Sequence, residues 1–364
     1  IRMSYLDLDN LSKSFKDDKI ISNLNAKIEK GEFFVVFGPS GSGKTVLLRL
    51  LSGIMMADSG EIKMDNQIIN ELHPEERDVS MAFQNFALYP HMKAYENIAS
   101  PLRAKNKNMP ENEIHEKVNE IANLLKIGHV LNQFPKELSN GQKQRTSLAR
   151  SLVDKPSVVL LDDPLRNVDA KIRFEMRLEL PKVLKEFNTT VIYITQDFRE
   201  AMALGDRIAV LYDGKFNDID SPKNIYQNPS SLTTAKLFGD PTINNFDATI
   251  KKQDGFVEVD VNGEIFNLKR NTKIQDGKCI VGIRPEDIVL SNDHSENSIE
   301  VEFRTKTPLN LRIVFLVRLK NGLELLCSTT EEESHLIDEN KKMYISFIEE
   351  KSHFFDIETK RNLE

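Results

Sequence analysis

The stretch GPSGSGKT, residues 38–45, decides the fold of this 364-residue chain. It follows the apolar run FFVVF (33–37), which predicts a buried strand, and leads into TVLLRLLSG (45–53), which predicts a helix. In this strand–loop–helix context the pattern G-x-x-x-x-G-K-[ST] is typical of a phosphate-binding loop. Its glycines allow a tight turn in which successive N–H groups point at an anion, and the helix N-terminus adds a positive dipole end. The stretch therefore predicts an α/β domain that binds phosphate.

The side chains of this loop predict how a nucleoside triphosphate would be held. Lys44 is expected to reach the β- and γ-phosphates, and the Thr45 hydroxyl is expected to bind Mg²⁺. The residues predicted to contact the nucleotide are Gly38, Pro39, Ser40, Gly41, Ser42, Gly43, Lys44, Thr45 and Val46.

A second half of the site is predicted at VVLLDDP, residues 158–164. An apolar strand that ends on an acidic residue suits a Mg²⁺-binding aspartate, here Asp162. The next residue, Asp163, stands where a carboxylate could orient or polarise an attacking water. Many strands end in aspartate, so it is the pairing with a phosphate loop that makes this strand end specific.

The chain divides into two parts of different character. Up to residue 238, strand-like runs alternate with helix-like runs, which predicts a parallel sheet with helices on its faces. After that, short β-rich runs are joined by Asn-Gly, Asp-Gly and Gly turns, which predicts a small all-β barrel. We therefore expect a nucleotide-binding domain at 1–238 and a β-rich regulatory domain at 239–364, with the linker near residue 240.

Composition excludes several classes of protein. The net charge of −7 gives no reason to expect nucleic acid as a partner. Cys279 and Cys327 lie far apart, so neither a disulfide framework nor a metal-binding spacing is predicted. No apolar run has signal-peptide length at the start of the sequence, and none approaches the ~20 residues of a membrane span. Any association with a membrane is therefore expected to run through a partner.

Between the two halves of the site lies LSNGQKQRTSLARSL (138–152), which ends a few residues before the apolar strand. A short signature in this place resembles that of the ATPases of ABC transporters. Further matches come in the order of that family: Gln84 in FQNFALYPHM resembles the Q-loop, and Asp169 in RNVDA resembles the D-loop. Phe15 in LSKSF fits the aromatic residue that stacks on adenine. The resemblance implies a P-loop NTPase with a helical signature subdomain at about 85–155.

The family resemblance also implies a head-to-tail pair of ATPase subunits that bind ATP and Mg²⁺. Each ATP would lie between the phosphate loop of one subunit and the signature of the other. The residues that the resemblance implies as Mg²⁺ ligands are Thr45, Gln84 and Asp162. The signature residues implied at the nucleotide are Ser139, Asn140, Gly141 and Gln142. The implied catalytic residues are Asp163, Gln196, Gln84 and Asp169.

Other segments narrow the resemblance to importer ATPases of the maltose and sugar or polyol class. These segments are QNFALYPHM, GDPTINNF, VGIRPEDIVL and the tail HFFDIETKRNL. Such subunits carry an oligonucleotide-fold-like β domain, called TOBE, after the nucleotide-binding domain. The implied partners are a second ATPase subunit, two transmembrane permease subunits and, through the permease, a periplasmic or lipid-anchored solute-binding protein, with no nucleic acid. The implied location is peripheral, at the cytoplasmic face of the inner membrane.

Three residues depart from the family pattern. Asn140 replaces the first glycine of LSGGQ, and because asparagine tolerates left-handed backbone angles we expect this change to be mild. Asp163 replaces the catalytic glutamate and is one methylene shorter. Gln196 replaces the switch histidine; it can donate an N–H to a phosphate oxygen but cannot relay a proton. Because the last two belong to this chain's own phosphate-loop side, we expect a slow, ATP-binding half-site paired with a different ATPase of consensus type.

Several functions remain open on the sequence alone. Polyamine, iron and sulfate importers share this architecture, and the ATPase does not touch the cargo, so no residue names the substrate. A homodimeric ATPase is an alternative, as is a non-transport regulator whose β domain binds a signalling protein while the degenerate site senses ATP. ABC-type ATPases of DNA repair are not favoured, because the interval 46–138 lacks a coiled-coil insertion. Those of translation carry two cassettes, and this sequence shows one.

Overall fold

The computed structural model describes residues 4–104, 108–253, 255–268, 274–295 and 297–364. Its contacts divide the chain into two compact units, Ile1–Pro222 and Lys223–Glu364. This boundary lies earlier than the expected one at 238/239. The reason is packing, since two residues of the helix at 232–237, Leu232 and Ala235, belong to a core shared with the β-rich part of the chain.

The first unit contains two sheets and the helices around them. Its described strands are β1 (Ser4–Phe15), β2 (Asp18–Glu29), β3 (Phe33–Phe37), β4 (Ser59–Met64), β5 (Gln67–Ile68), β6 (Val79–Ala82), β7 (Val158–Asp162), β8 (Thr190–Thr195), β9 (Arg207–Tyr212) and β10 (Lys215–Asp220). Its described helices are α1 (Lys44–Leu51), α2 (Ala94–Ala99), α3 (Glu111–Leu124), α4 (Asn140–Leu152), α5 (Ala170–Glu186) and α6 (Phe198–Leu204). The predicted α/β architecture is confirmed.

The larger sheet has the strand order β10-β9-β3-β8-β7-β6. The neighbouring pairs from β9 to β6 are parallel, and β10 is antiparallel to β9. Strands β3, β7 and β8 are buried at every residue, which explains why they read as continuous apolar runs. Because the carboxyl ends of parallel strands meet at one edge of a sheet, the loops that follow β3, β8, β7 and β6 lie side by side.

The smaller sheet is antiparallel, has the order β2-β1-β4-β5, and was not predicted from the sequence. In β2 the buried side chains alternate with exposed ones over Leu24, Ala26 and Ile28. This alternation is typical of a sheet with one face on the core. The buried face packs into the same core as α1 and the larger sheet.

Arg77 fixes the end of α1, the helix that follows the phosphate loop. Its guanidinium is 1% exposed and donates to the carbonyls of Leu50 (2.8 Å) and Leu51 (3.1 Å), the last residues of the helix. It also donates to the carbonyls of Asn70 (2.7 Å) and Leu72 (2.9 Å). Burial lowers the pKa of this group. Arg77 therefore satisfies carbonyls that a helix C-terminus leaves without partners.

We expect Arg77→Met to lower the free energy of unfolding by about 3 kcal/mol. The methionine fills part of the space but leaves buried carbonyls without donors, and hydrogen bonds to a charged group contribute about 1.5–3 kcal/mol each. Equilibrium urea titration measures the change. The exposed Arg312 offers a control, since Arg312→Met removes no buried hydrogen bond. An equal loss in both variants would contradict the role of Arg77.

The second unit is rich in antiparallel strands. Its strands are β11 (Asn244–Gln253), β12 (Phe256–Val261), β13 (Glu264–Leu268), β14 (Gly277–Ile283), β15 (Ile288–Ser291), β16 (Ile299–Leu309), β17 (Arg312–Arg318), β18 (Glu324–Thr330), β19 (Met343–Phe347) and β20 (His353–Phe355). The helices in this part of the chain are α7 (Pro222–Gln227), α8 (Leu232–Leu237) and α9 (Glu331–Ser334). The predicted all-β character of this region is confirmed, with two short helices preceding its first strand.

These strands form two five-stranded sheets, β13-β12-β11-β14-β20 and β15-β19-β16-β17-β18, over one hydrophobic core. Buried Asn244 links the sheets by hydrogen bonds. Its amide donates to the carbonyls of Ile283 (3.2 Å) and Leu326 (2.8 Å), and its side-chain oxygen accepts from the Leu326 N–H at 2.8 Å. In the residues described for both units, no helix has the length and apolar character needed to cross a bilayer.

Candidate nucleotide-binding site

The loops at the carboxyl edge of the larger sheet enclose a cavity of about 330 Å³. The phosphate loop follows β3, Gln196 follows β8, Asp162 ends β7 with Asp163 next to it, and Gln84 follows β6. The lining residues are Ile20, Ser40, Gly41, Gly43, Lys44, Thr45, Val46, Gln84, Asp162, Asp163, Arg166, Ile194 and Gln196. Parallel strand order thus brings residues more than 150 positions apart in the sequence into one cavity.

Lys44 is buried and is held by the phosphate loop itself. Its ammonium donates to the carbonyls of Gly38 (2.8 Å) and Pro39 (2.7 Å) and to the Ser42 hydroxyl (3.4 Å). Burial lowers the pKa of this amine to about 8, while the negative charge of Asp163 acts in the opposite direction. Its hydrogen-bond partners here are neutral, so a phosphate oxygen would offer it a stronger acceptor.

Two glycines of the phosphate loop are required by close backbone contacts. A Cβ on Gly38 would collide with the carbonyl oxygen of Leu211 in β9. Gly43 has φ 101°, and a Cβ there would lie 2.9 Å from the carbonyl oxygen of Ile20 in β2. Only glycine fits at these positions, and the resulting loop allows the backbone to approach a phosphate closely at the N-terminus of α1.

Thr45 and Asp162 form an oxygen pair at the cavity wall. Thr45 and Asp162 both line the cavity, and burial raises the pKa of the Asp162 carboxyl while the Thr45 hydroxyl lowers it. Mg²⁺ prefers oxygen ligands and is usually held by one or two carboxylates together with substrate phosphates. The described residues contain no cluster of three or more His, Cys, Asp or Glu arranged to hold a metal. The donors present therefore fit Mg²⁺ bound together with ATP.

Asp163 lies beside this pair in an unusual backbone conformation. Its φ is 44°, in the left-handed region that aspartate adopts more readily than most residues. Its N–H donates to the Ile194 carbonyl at 2.9 Å, which fixes the residue against β8. Burial, reinforced by the charge of Glu200, raises the pKa of its carboxyl to about 6. Oδ2 of Asp163 lies 3.7 Å from Nη1 of Arg166.

The turn that carries Gln196 begins a helix, which explains why β8 stops there. Asp197 caps α6, with its Oδ1 accepting from the Arg199 N–H at 2.8 Å. The Asp197 N–H in turn donates to Thr195 Oγ1 at 3.0 Å. Gln196 itself is exposed and lines the cavity.

A buried network built on Glu200 supports this turn. Oε2 of Glu200 accepts from the hydroxyls of Tyr193 and Thr195, both at 2.8 Å. Its Oε1 lies 3.5 Å from Nη2 of Arg177. Burial, together with Glu200, raises the pKa of Tyr193 well above its usual range, so the phenol stays a donor.

Two other predicted residues lie outside the cavity lining. Phe15 is 44% exposed at the end of β1. Asp169 caps α5, with its Oδ1 accepting from the Ile172 N–H at 3.0 Å. The remaining predicted loop residues outside the lining (Gly38, Pro39 and Ser42) are the ones that hold the Lys44 ammonium.

The signature residues also lie outside this cavity, at the start of α4. Ser139 caps the helix, accepting from the Gln142 N–H at 3.3 Å and donating its own N–H to Gln142 Oε1 at 2.9 Å. A Cβ on Gly141 would lie 2.9 Å from Ile172 Cδ1, so glycine allows α4 to pack closely on α5. Asn140 is the first residue of α4 and has no positive φ. The left-handed backbone angle invoked for Asn140 is therefore absent, and its side chain is exposed to solvent.

Sequence reasoning missed Arg166, Glu200 and Ile20. The available signal for Arg166 was a basic residue three positions after Asp163. No local pattern marks Glu200, because its role depends on hydroxyls that β8 places over α6.

Comparisons with known proteins agree with this geometry. A family model described as ABC transporter matches residues 21–166. The osmoprotective compounds uptake ATP-binding protein GgtA of Synechocystis sp. is 43% identical over 287 residues, covering 79% of this chain and 78% of that protein. The Fe(3+) ions import ATP-binding protein FbpC of Fusobacterium nucleatum is 34% identical, with 98% and 95% covered. The xylose/arabinose import ATP-binding protein XacK of Haloferax volcanii is also 34% identical, with 98% and 94% covered.

Among solved structures, a dimeric ATP-binding cassette in a post-hydrolysis state, bound to ADP and Pi, aligns with a TM-score of 0.55. It is 31% identical to this chain and covers 60% of it and 98% of the solved chain. The predicted P-loop NTPase fold is thereby confirmed. The chain therefore belongs to the ABC transporter family, as an ATPase subunit.

Proposed function

We propose that this chain binds and hydrolyses ATP to power an importer of a sugar or polyol, as the catalytically weaker half of an ATPase heterodimer. The observation that carries the proposal is the single cavity formed where four adjacent parallel strands end. It gathers a phosphate loop, an oxygen pair suited to Mg²⁺, a carboxylate and an amide. This set of groups matches the requirements of phosphoryl transfer to water.

In the proposed mechanism the phosphate loop and Lys44 hold the β- and γ-phosphates. Thr45, Gln84 and Asp162 would hold Mg²⁺, and the bound ion would neutralise charge on the phosphates. Asp163 orients the attacking water, and Gln196 donates an amide N–H to the γ-phosphate. Phe15 stacks on the adenine, and Asp169 acts where this chain contacts the partner subunit. Ser139, Asn140, Gly141 and Gln142 serve the nucleotide of the partner subunit.

The weakened half-site follows from Asp163 and Gln196. The Asp163 carboxylate is one methylene shorter than a glutamate, and a catalytic group misplaced by about an ångström can lose on the order of 100-fold in rate. Its backbone is tied to Ile194, so the residue cannot advance into the cavity without losing that hydrogen bond. Gln196 supplies a neutral donor where a histidine could also carry a proton.

The proposed assembly places the chain at the cytoplasmic face of the inner membrane, bound to two permease subunits and a second ATPase. A periplasmic or lipid-anchored solute-binding protein would deliver the cargo. Relatives named for sn-glycerol-3-phosphate import, in Psychromonas ingrahamii (40% identical), and for xylose/arabinose import favour a sugar or polyol. Relatives named for Fe(3+) import and, in Pseudomonas aeruginosa, for spermidine/putrescine import keep iron and polyamine cargo as the second candidates.

The proposal is tested by ATP turnover of the chain alone and together with the companion ATPase encoded beside it. We expect slow turnover alone and much faster turnover in the mixed pair. Rapid hydrolysis by the isolated chain, unchanged by Gln196→Ala, would contradict the weakened half-site and favour a homodimer. Co-purification with two permease subunits separates the importer from an ATP-sensing regulator. Thermal shift of the neighbouring solute-binding protein against sugars, polyols, polyamines and Fe(3+) would identify the cargo.

A further inference from the structure

Arg166 is the charged residue of the cavity that the roles above leave unassigned. It lies in the turn between β7 and α5 and is fixed by its backbone, not by its side chain. Its N–H donates to the Asp163 carbonyl at 3.3 Å, and its own carbonyl accepts from Arg173 Nη2 at 3.3 Å. The position of the residue is therefore set while its guanidinium can change partners.

The contact between Arg166 and Asp163 is long, and the two side chains differ strongly in their exposure to solvent. The Arg166 side chain is 52% exposed, whereas that of Asp163 is 10% exposed. Their nearest atoms are 3.7 Å apart, which is longer than a hydrogen bond. Among the described residues the guanidinium has no hydrogen-bond acceptor, so its planar set of five donors is available to a ligand.

The charges that line the cavity balance, so what favours an anion near Arg166 is its own guanidinium. The ionisable lining residues of the cavity are Lys44 and Arg166 on the positive side and Asp162 and Asp163 on the negative side. A triphosphate remains negative even with Mg²⁺ bound, and the fork of an arginine matches phosphate oxygens in a bidentate manner. A terminal phosphate would thus compete with the single, distant contact that Asp163 offers.

The location of Arg166 points to the terminal phosphate in particular. It enters from the turn after β7, beside Asp163, which the proposed mechanism places at the water that attacks the γ-phosphate. Building on the function proposed above, we propose that Arg166 is a γ-phosphate ligand of this half-site, which leaves Asp163 when ATP is bound and returns to it when ADP is bound. The weakened half-site would then distinguish ATP from ADP by binding, even though its turnover is slow.

Equilibrium binding of Mg-ATP and Mg-ADP to the full chain, by displacement of a fluorescent ATP analogue, tests the assignment. We expect Arg166→Ala to weaken ATP binding about tenfold, since a hydrogen bond to a charged group contributes about 1.5–3 kcal/mol and 1.4 kcal/mol is tenfold. ADP binding should change by less than about twofold, because ADP lacks the terminal phosphate. Arg166→Gln, which keeps hydrogen bonding without charge, should resemble Arg166→Ala, and Arg166→Lys should recover part of the ATP affinity.

A matched control is Arg318→Ala, which removes an exposed ion pair with Glu324 in the second unit, and it should change neither affinity. Nucleotide-free thermal unfolding of each variant shows that it is folded, and Arg166→Gln replaces Arg166→Ala if the latter unfolds. An ATP-to-ADP affinity ratio equal to that of the parent chain would overturn the role of Arg166 alone. A parent chain that binds neither nucleotide would overturn the proposed function together with it.

Discussion

The double variant Asp163→Glu with Gln196→His is expected to hydrolyse ATP on the order of 100-fold faster than the parent chain. The longer carboxylate reaches further into the cavity, and a misplacement of about an ångström accounts for a factor of this size. The imidazole restores a group that can donate to the γ-phosphate and hold a proton. Steady-state release of phosphate by the isolated chain, at concentrations that allow self-association, measures the gain.

The backbone at Asp163 sets the cost of this change. Its left-handed φ of 44° suits aspartate better than glutamate, so the double variant should be slightly less stable than the parent. Each single variant should recover only part of the rate, because the two groups act in one step. The same double variant carrying Lys44→Met should be inactive, which ties the turnover to this cavity. A double variant no faster than the parent would show that the shorter acid and the amide do not limit the rate.

Lys44→Met is expected to weaken ATP binding by at least about 100-fold. The buried ammonium is the cation nearest the phosphate loop, and loss of about 3 kcal/mol of charge-assisted hydrogen bonding corresponds to a factor of more than 100. ADP binding should also weaken, since Lys44 is expected to reach the β-phosphate. This joint loss contrasts with the loss expected on replacing Arg166, which is confined to ATP. Isothermal titration calorimetry with both nucleotides measures the two affinities.

Measuring the stability of Lys44→Met distinguishes a loss of nucleotide binding from a loss of folding. Lys44 is buried among neutral carbonyls, and a buried charge without a close counter-ion is unfavourable. Lys44→Met removes this charge but also the donor to the Gly38 and Pro39 carbonyls, so the two effects oppose each other and we expect a folded variant with a small change in nucleotide-free thermal unfolding. The exposed Lys185, in the last turn of α5, provides a control, since Lys185→Met should keep both affinity and stability. Undiminished ATP affinity in Lys44→Met would contradict the assignment of the cavity.

The parts of the fold that could be predicted are those whose signal is local. The strands β3, β7 and β8 read as apolar runs because both faces of a central parallel strand are buried. The phosphate loop follows from spacing and glycine content. The meeting of the strand ends at one edge also follows from a parallel sheet, whereas the order of the strands does not.

The antiparallel sheet near the start of the chain illustrates what local signals leave out. In β1, buried Leu6 and Leu8 alternate with half-buried Asp7, but the alternation then breaks at exposed Asp9 and Asn10. The register with both neighbouring strands shifts over this region. A run interrupted in this way resembles a polar loop in the sequence, and only pairing with β2 and β4 makes it a strand.

The residues of the candidate site likewise divide into those with a local sequence signal and those whose role depends on the three-dimensional structure. Lys44, Asp162 and Gln196 could be placed from motifs, because each lies at the end of a predicted strand or in the segment that follows one. Arg166 could not, since its importance depends on how the turn after Asp163 directs a side chain. The contribution of Glu200 likewise requires the hydroxyl groups of β8 to be located in space. Motif spacing therefore predicts which groups meet, whereas it does not predict their electrostatic environment.

Ile172 connects two segments described above, one through its side chain and the other through its backbone. Its side chain fills the space left by the missing Cβ of Gly141 in the signature helix. Its N–H is bound by Asp169, three residues after Arg166 in the same turn. In a head-to-tail pair, the signature would follow the partner's nucleotide and Arg166 would follow this chain's own. Ile172 would then join the helix that serves the partner's nucleotide to the turn that serves this chain's own, through contacts within one subunit.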